Sequence, residues 1–328
     1  MARGDGQVSE IAAVVIGRNE GDRLVACLKS LAGTVGRVVY VDSGSTDGSV
    51  QAAQDLGAEV VALDMTQPFT AARARNAGLD ALRDDPPTYV QFVDGDCVLQ
   101  PGWIETARAF LDDHPKVAMA CGRRREIHPE ASVYNRLCDD EWNTPVGEAL
   151  ACGGDALGRW AALDAIDGYN PTLIAGEEPD LCLRLRVAGW KIWRLDAEMT
   201  AHDAAILRFG QWWKRVSRAG HAFAEGAWLH GKAHGHWVGE TRRLLFWGLG
   251  IPVLSLLAVL LIGPWGLVLL GLYAVQVARL ALSRGIGQRF SWEWAFFLTL
   301  GKIPEALGAL KFYRSRLTSR RSTLIEYK

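Results

Sequence analysis

The sequence predicts an α/β protein built on a parallel sheet and followed by an apolar helical hairpin. Two observations predict it. Between residues 10 and 205, β-type apolar runs alternate with amphipathic stretches, the rhythm of strand–helix–strand units. From Leu244 to Ile262 no charged side chain occurs, a stretch that would cover roughly 28 Å as a helix.

Taken in order, IAAVVI (11–16) reads as a buried strand and RLVACLKSLAG (23–33) as an amphipathic helix. VGRVVYV (35–41), the helical SVQAAQDLGA (49–58), AEVVAL (58–63) and YVQFV (89–93) continue the alternation, and a further strand is expected around Ile192 to Leu195. In parallel sheets ligands gather beyond the carboxyl ends of the strands. The polar signals sit there: Asn19 and Glu20 after the first strand, DSGSTDGS after the second, and DGD (Asp94, Gly95, Asp96) after the fourth.

The hairpin follows from composition. After the turn-like GPWG (263–266), a second apolar stretch continues from Leu267 to Leu282, broken only by Arg279 near its end, where an arginine can snorkel. The expected division is a cytosolic domain over 1–228 and a membrane-anchoring region over 229–328, with spans at about 244–262 and 265–282. Arg242 and Arg243 precede the hairpin, while Arg284, Arg289, Lys302, Lys311, Arg314, Arg316, Arg320 and Arg321 follow it, so the positive-inside bias places both flanks in the cytoplasm. FSWEWAFFLTLG (290–301) is short and carries Glu293, which suits an interfacial or re-entrant helix. Eight of the thirteen tryptophans lie between Trp212 and Trp294, the belt expected around membrane segments. The competing reading of the hairpin is a buried core element.

Composition excludes several classes. With 328 residues, 49% hydrophobic and 22% charged, the chain is ample for a core, and a formal charge of −1 argues against a polyanion binder such as a nucleic-acid partner. Six scattered cysteines without a CxxC suit reduced thiols rather than a disulfide framework. MARGDGQVSE has no apolar core, so no cleaved secretory signal is expected.

Two carboxylates at i, i+2 around a glycine can share one hard divalent cation, and such a cation also holds substrate phosphates. An isolated Asp-Gly-Asp turn in solvent is the competing reading. A second acidic group lies in GEEPDLCLRLRVAGW, where Glu177, Glu178 and Asp180 open a helix whose Leu181, Leu185 and Ala188 are expected to face inward. Acidic residues there also complement the helix dipole, which is the structural alternative for Asp180.

Five motifs in order resemble a family 2 glycosyltransferase with the nucleotide-sugar-binding GT-A fold: VVIGRNEGDRLVACLKSL, VVYVDSGSTDGS, ARARNAGLDAL, VDGDCVLQPGW and GEEPDLCLRLRVAGW. The resemblance runs from about Ile11 to Arg218. It implies a nucleobase near Asn19, Glu20 and Asp42, a diphosphate near Arg75, and Mg²⁺ or Mn²⁺ held through Asp94 and Asp96. It also implies a metal or diphosphate contact at His202 and a general base at the second acidic position of the last motif, Glu178, with Glu177 or Asp180 as alternatives. Two departures stand out. Ser43 occupies a place where many members are acidic, and Glu178 stands where aspartate is usual.

Arg215 and Arg218, at i, i+3 in FGQWWKRVSRAG, suit either a substrate diphosphate or anionic headgroups; the substrate reading is favoured for Arg218 and the headgroup reading for Lys214. RRRE (123–126) reads as a solvated loop or a contact for an acceptor phosphate. Arg123 to Gly154, with Tyr134, Asp139, Asp140, Glu141 and Trp142, is the expected acceptor wall. His230, His234 and His236 have metal-like spacing in a Gly-rich stretch and read as incidental.

Joined together, these readings predict a membrane-anchored inverting glycosyltransferase that takes a nucleotide-sugar donor and a lipid-linked acceptor at the inner leaflet. Polysaccharide extension is the alternative, against which GQWWKRV offers only part of the signature of processive synthases. A sugar-nucleotide-binding subunit without turnover is a further one. The sugar, nucleotide and oligomeric state are left open.

Overall fold

The computed structural model describes residues 10–318; Arg320 and Arg321 of the expected basic tail lie outside them. The chain divides into two compact units, one ending at Ala205 and one beginning at Ile206.

The N-terminal unit is built on a nine-stranded sheet in the order β3-β2-β1-β4-β8-β6-β9-β5. Its strands are β1 (Ile11–Gly17), β2 (Arg37–Asp42), β3 (Glu59–Ala62), β4 (Tyr89–Asp94), β5 (Cys97–Leu99), β6 (Val117–Glu126), β7 (Gly147–Ala149), β8 (Ala156–Arg159) and β9 (Lys191–His202), with β7 paired to β9. Helices α1 (Asp22–Leu31), α2 (Ser49–Asp55), α3 (Ala71–Ala81), α4 (Trp103–Asp113), α5 (Val133–Glu141), α6 (Trp160–Asp164) and α7 (Glu177–Val187) connect them. The continuous apolar runs of β1 and β4 are buried on both faces, as central parallel strands require. Gly78 of α3 lies against Val14 so closely that a Cβ would strike its side chain.

Register positions the site. β1 pairs in parallel with β2 and β4, setting Gly17 opposite Asp42 and Ile16 opposite Asp94, so the polar strand exits line up along one edge. β8 runs antiparallel between β4 and β6 and departs from the wholly parallel pattern. β9 is far longer than the Ile192–Leu195 strand expected. Its last residues pair antiparallel with β5, which puts His202 opposite Cys97, the neighbour of Asp96.

The C-terminal unit is helical: α8 (Phe209–His234), α9 (Val238–Leu245), a π-helical turn (Phe246–Gly250), α10 (Ile251–Ile262), a 3₁₀ segment (Gly263–Leu270), α11 (Gly271–Arg284), α12 (Arg289–Leu300) and α13 (Lys302–Leu317). Residue 228 falls inside α8, whose whole length belongs to this unit. The reason is packing, because Gly220 of α8 sits against the Glu305 backbone of α13 and Gly308 against that of Ser217, leaving no room for side chains. The helical run Val238–Arg284 is long and apolar enough to cross a membrane. It reverses at Gly263, whose φ of 68° is open to glycine. Ser255 Oγ donates to Gly266 O at 3.0 Å and the Tyr273 hydroxyl to Trp247 O, whereas residues 11 apart in a straight helix stand about 16 Å apart. Leu256, Leu260, Leu261, Trp265 and Val268 are exposed along it.

Candidate active site

Asp42, at the end of β2, accepts from Gly44 N–H at 3.0 Å and Ser45 N–H at 2.9 Å through Oδ2, and from the Tyr40 hydroxyl at 3.0 Å through Oδ1. Asn19, beyond β1 with φ of 55°, accepts from Thr46 N–H at 2.7 Å and donates its own N–H to Ser45 Oγ at 2.9 Å. The two residues therefore brace one loop from both sides. Glu20 pairs with Arg23 at 2.7 Å, and its Cγ lies 3.4 Å from where a Cβ on Gly95 would sit, so it borders the DGD turn.

Asp94, at the exit of β4, meets two guanidinium groups: Arg75 at 2.8 Å and Arg124 at 3.3 Å. Burial opposes its charge, yet these two cations outweigh burial and hold its carboxyl below the usual range. Arg75 is 3% exposed; its other arm donates to Glu177 Oε1 at 2.9 Å, and its guanidinium lies over the Tyr169 ring at 5.4 Å. Gly154 closes this cluster, since a Cβ there would stand 2.7 Å from Asp94 Oδ2 and 2.9 Å from Arg75 Nη2.

Asp96 is buried, with Oδ1 3.4 Å from His202 Nε2, while His202 Nδ1 lies 3.9 Å from Glu126 Oε2. Burial disfavours the imidazolium, but Asp96 and Glu126 prevail and the His202 pKa is raised. Trp142 sets its ring edge-on to His202 at 4.7 Å, and Arg124 lies 5.5 Å from the same ring. Carboxylate oxygens beside an imidazole whose far nitrogen faces a second carboxylate are the donor set of a hard-to-borderline divalent ion, so these residues fit Mg²⁺ or Mn²⁺.

The three acidic residues of α7 separate by partner. Glu177 is tied to Arg75 and Asp180 to Arg184 at 2.8 Å. Among the described residues no cation pairs with Glu178. Its Oε1 accepts from Cys152 N–H at 2.6 Å and from Cys182 Sγ at 2.9 Å. Burial raises its pKa, against the lowering effect of those bonds. Leu181 and Leu185 are buried as expected, while Ala188 is exposed because α7 ends at Val187.

RRRE is strand, not a solvated loop. Alternation along β6 turns Arg123 to Asp139 and Arg125 to Glu198, while Arg124 and Glu126 turn toward the site. Asp155 was also missed: fully buried, it accepts from the Asp94 N–H at 3.0 Å, Thr200 Oγ1 at 2.7 Å and Arg124 at 2.7 Å. All four residues of RRRE are charged, so no alternation in residue type marks Arg124 and Glu126 off from Arg123 and Arg125. Arg215 and Arg218 are half-buried on α8 of the C-terminal unit. Among the described residues, His230, His234 and His236 bring no ligand group close enough to share an ion.

Residues 13–147 match the family "Glycosyl transferase family 2". A pre-mycofactocin glycosyltransferase of Mycobacterium tuberculosis is 28% identical over 213 residues, 59% of this chain and 43% of the relative; the chain thus spans less than half the length of that curated relative. Among solved structures, a mannosyltransferase from Pyrobaculum calidifontis in complex with GDP-Man and Mn²⁺ aligns with a TM-score of 0.61 at 18% identity, covering 92% of this chain and 87% of the other. Glucosyl-3-phosphoglycerate synthase of M. tuberculosis with phosphoglyceric acid aligns at 0.49 and 18%, covering 66% and 78%.

Proposed function

We propose, from the premise that residues 13–147 carry a Glycosyl transferase family 2 domain in a GT-A-like fold, that this chain is a membrane-anchored, metal-dependent, inverting glycosyltransferase. The observation that carries the reading is a single edge of the sheet. There Asp94, Asp96, Arg75 and His202 stand with the acidic first turn of α7.

The residues divide the work. Asn19, Glu20 and Asp42 hold the nucleoside end of the donor, Arg75 its diphosphate, and Asp94, Asp96 and His202 a divalent ion. When bound, that ion supplies charge neutralisation to the departing diphosphate. Glu178 is the general base. Of the three candidate carboxylates it alone is not committed to an arginine, burial raises its pKa and so its basicity, and Oε2 makes neither of the bonds that anchor Oε1. It takes the proton of the acceptor hydroxyl as that oxygen bonds to the anomeric carbon, the carbon–phosphate oxygen bond breaks, and nucleoside diphosphate leaves.

The apolar hairpin supports a membrane anchor. Arg242 and Arg243 on one flank with Arg284, Arg289 and Lys302 on the other favour the cytoplasmic side for both. A lipid-linked acceptor follows as the substrate such an enzyme would meet, with Arg215 and Arg218 available to its phosphate or to headgroups.

The test is release of nucleoside diphosphate by the purified full chain with Mn²⁺, a panel of nucleotide sugars, and either lipid extract or pre-mycofactocin, the compound in the name of the mycobacterial relative. Release that requires lipid supports the reading. Turnover confined to pre-mycofactocin would overturn the lipid-linked part, and absence of donor binding would overturn the whole.

A further inference from the structure

Two buried thiols that the proposed reaction leaves unused lie against its base. Glu178 and Cys182 are one turn apart on α7 and so share a face. Cys182 Sγ stands 2.9 Å from Glu178 Oε1, the backbone N–H of Cys152 donates to the same oxygen at 2.6 Å, and the two sulfurs are 3.5 Å apart. Glu178, Cys152 and Cys182 are all buried. A carboxylate on a free rotor would sample many directions; one whose Oε1 is gripped by two donors presents Oε2 in a fixed direction.

We propose that Cys182 is a positioning residue, its S–H anchoring Oε1 of Glu178 so that the other oxygen is aimed at the acceptor proton. The proposal rests on Glu178 being the base. The thiol is suited to the task because it is a weak donor: it orients the carboxylate without the strong charge pairing that ties Glu177 to Arg75 and Asp180 to Arg184. The titratable groups facing Glu178 are Cys121 from β6, Cys152 from the loop before β8, Tyr169 from the segment before α7, and Glu177 and Cys182 on α7 itself. Among the described residues no arginine or lysine pairs with Glu178, and the hydrogen bonds from Cys182 and Cys152 oppose the effect of burial on the carboxyl.

The experiment compares Cys182→Ala, Cys182→Ser and Glu178→Gln in the purified full chain, using the donor that gives turnover with lipid extract, and UDP and GDP with Mn²⁺ as binding probes. Cys182→Ala should lower kcat about tenfold, the scale of one lost hydrogen bond to a charged group. Nucleotide binding should stay unchanged, and the acid limb of the kcat–pH profile should move to higher pH because the carboxylate has lost a donor. Cys182→Ser should restore kcat and the limb. A purely packing role predicts serine to behave no better than alanine and leaves the limb in place, and that result overturns the proposal. Should Cys182→Ala not fold, serine decides alone: an acid limb at or below the wild-type position supports the proposal and one above it overturns it. If Glu178→Gln keeps wild-type turnover, the base assignment falls with it; if Glu178→Gln is inactive while Cys182→Ala keeps wild-type kcat and limb, only the positioning role falls.

Discussion

Arg75 donates to Asp94 at 2.8 Å, and its second arm reaches Glu177 at 2.9 Å. One buried guanidinium thus joins the exit of β4 to the first turn of α7. Replacing it with Gln leaves the partly buried Asp94 and Glu177 carboxylates without the cation they share, so Arg75→Gln should destabilise the fold by about 3 kcal/mol and abolish nucleotide binding. Lysine keeps the charge without the fork and should recover most of the stability but little of the binding. Thermal unfolding beside calorimetric titration with nucleoside diphosphate and Mn²⁺ separates the two effects.

Gly154 tests the same cluster from its open side. A methyl group there would enter the space of Asp94 Oδ2, Arg75 Nη2 and Arg124 Nη2. Gly154→Ala should therefore weaken nucleotide binding at least tenfold, about 1.4 kcal/mol. The same titration checks this, and unchanged affinity would mean that the cluster has slack.

Asp96→Asn separates the proposed metal role from general acidity. Its amide keeps the shape but loses the charge facing His202 at 3.4 Å, so metal-dependent binding and turnover should fall together. Nucleotide binding that is normal and indifferent to Mn²⁺ would refute the role given to Asp96.

Much of this site was legible in the sequence because it follows strand exits. Asn19, Asp42, Asp94 and Asp96 could be placed once the β-type runs were counted, since a parallel sheet lines up its carboxyl ends. Arg124, Glu126 and Asp155 were not legible, because their importance depends on β8 and β6 joining the sheet antiparallel to each other, and nothing local in RRRE or GGD states that pairing. The hairpin was legible from composition and the GPWG turn. The span of α8 was not, because α8 is held by glycine contacts with a helix distant in sequence.

Glu178 carries a pH prediction for stability as well as for rate. Burial raises its folded-state pKa above an unfolded value of about 4.3. The folded state binds the proton more tightly, so this stability is fully present below the unfolded pKa and is lost as pH rises through the folded one. Glutamine cannot ionise. Glu178→Gln should gain in Tm relative to wild type as pH rises across that window, while its turnover falls about a hundredfold or more with donor binding within a few-fold. Calorimetric scans over the window check the first expectation and single-turnover transfer the second.

The anchor can be tested without removing it. Deleting everything beyond residue 240 would strip α13 from α8, whose glycine contacts hold the C-terminal unit together, so a truncated chain would confound anchoring with folding. Leu254 and Leu257 lie near the middle of the first apolar stretch and are half exposed, at 50% and 49%, so arginine at both positions displaces no packed core. In water the double variant should fold as before. At the centre of a bilayer each arginine costs roughly 2.5–3.5 kcal/mol, enough together to shift the chain out of carbonate-washed membranes. Nucleotide binding with Mn²⁺ should persist, because it belongs to the N-terminal unit, while transfer to a membrane-borne acceptor should fall. Full retention of the double variant in the washed membrane, with transfer undiminished, would refute the anchoring role proposed for the hairpin.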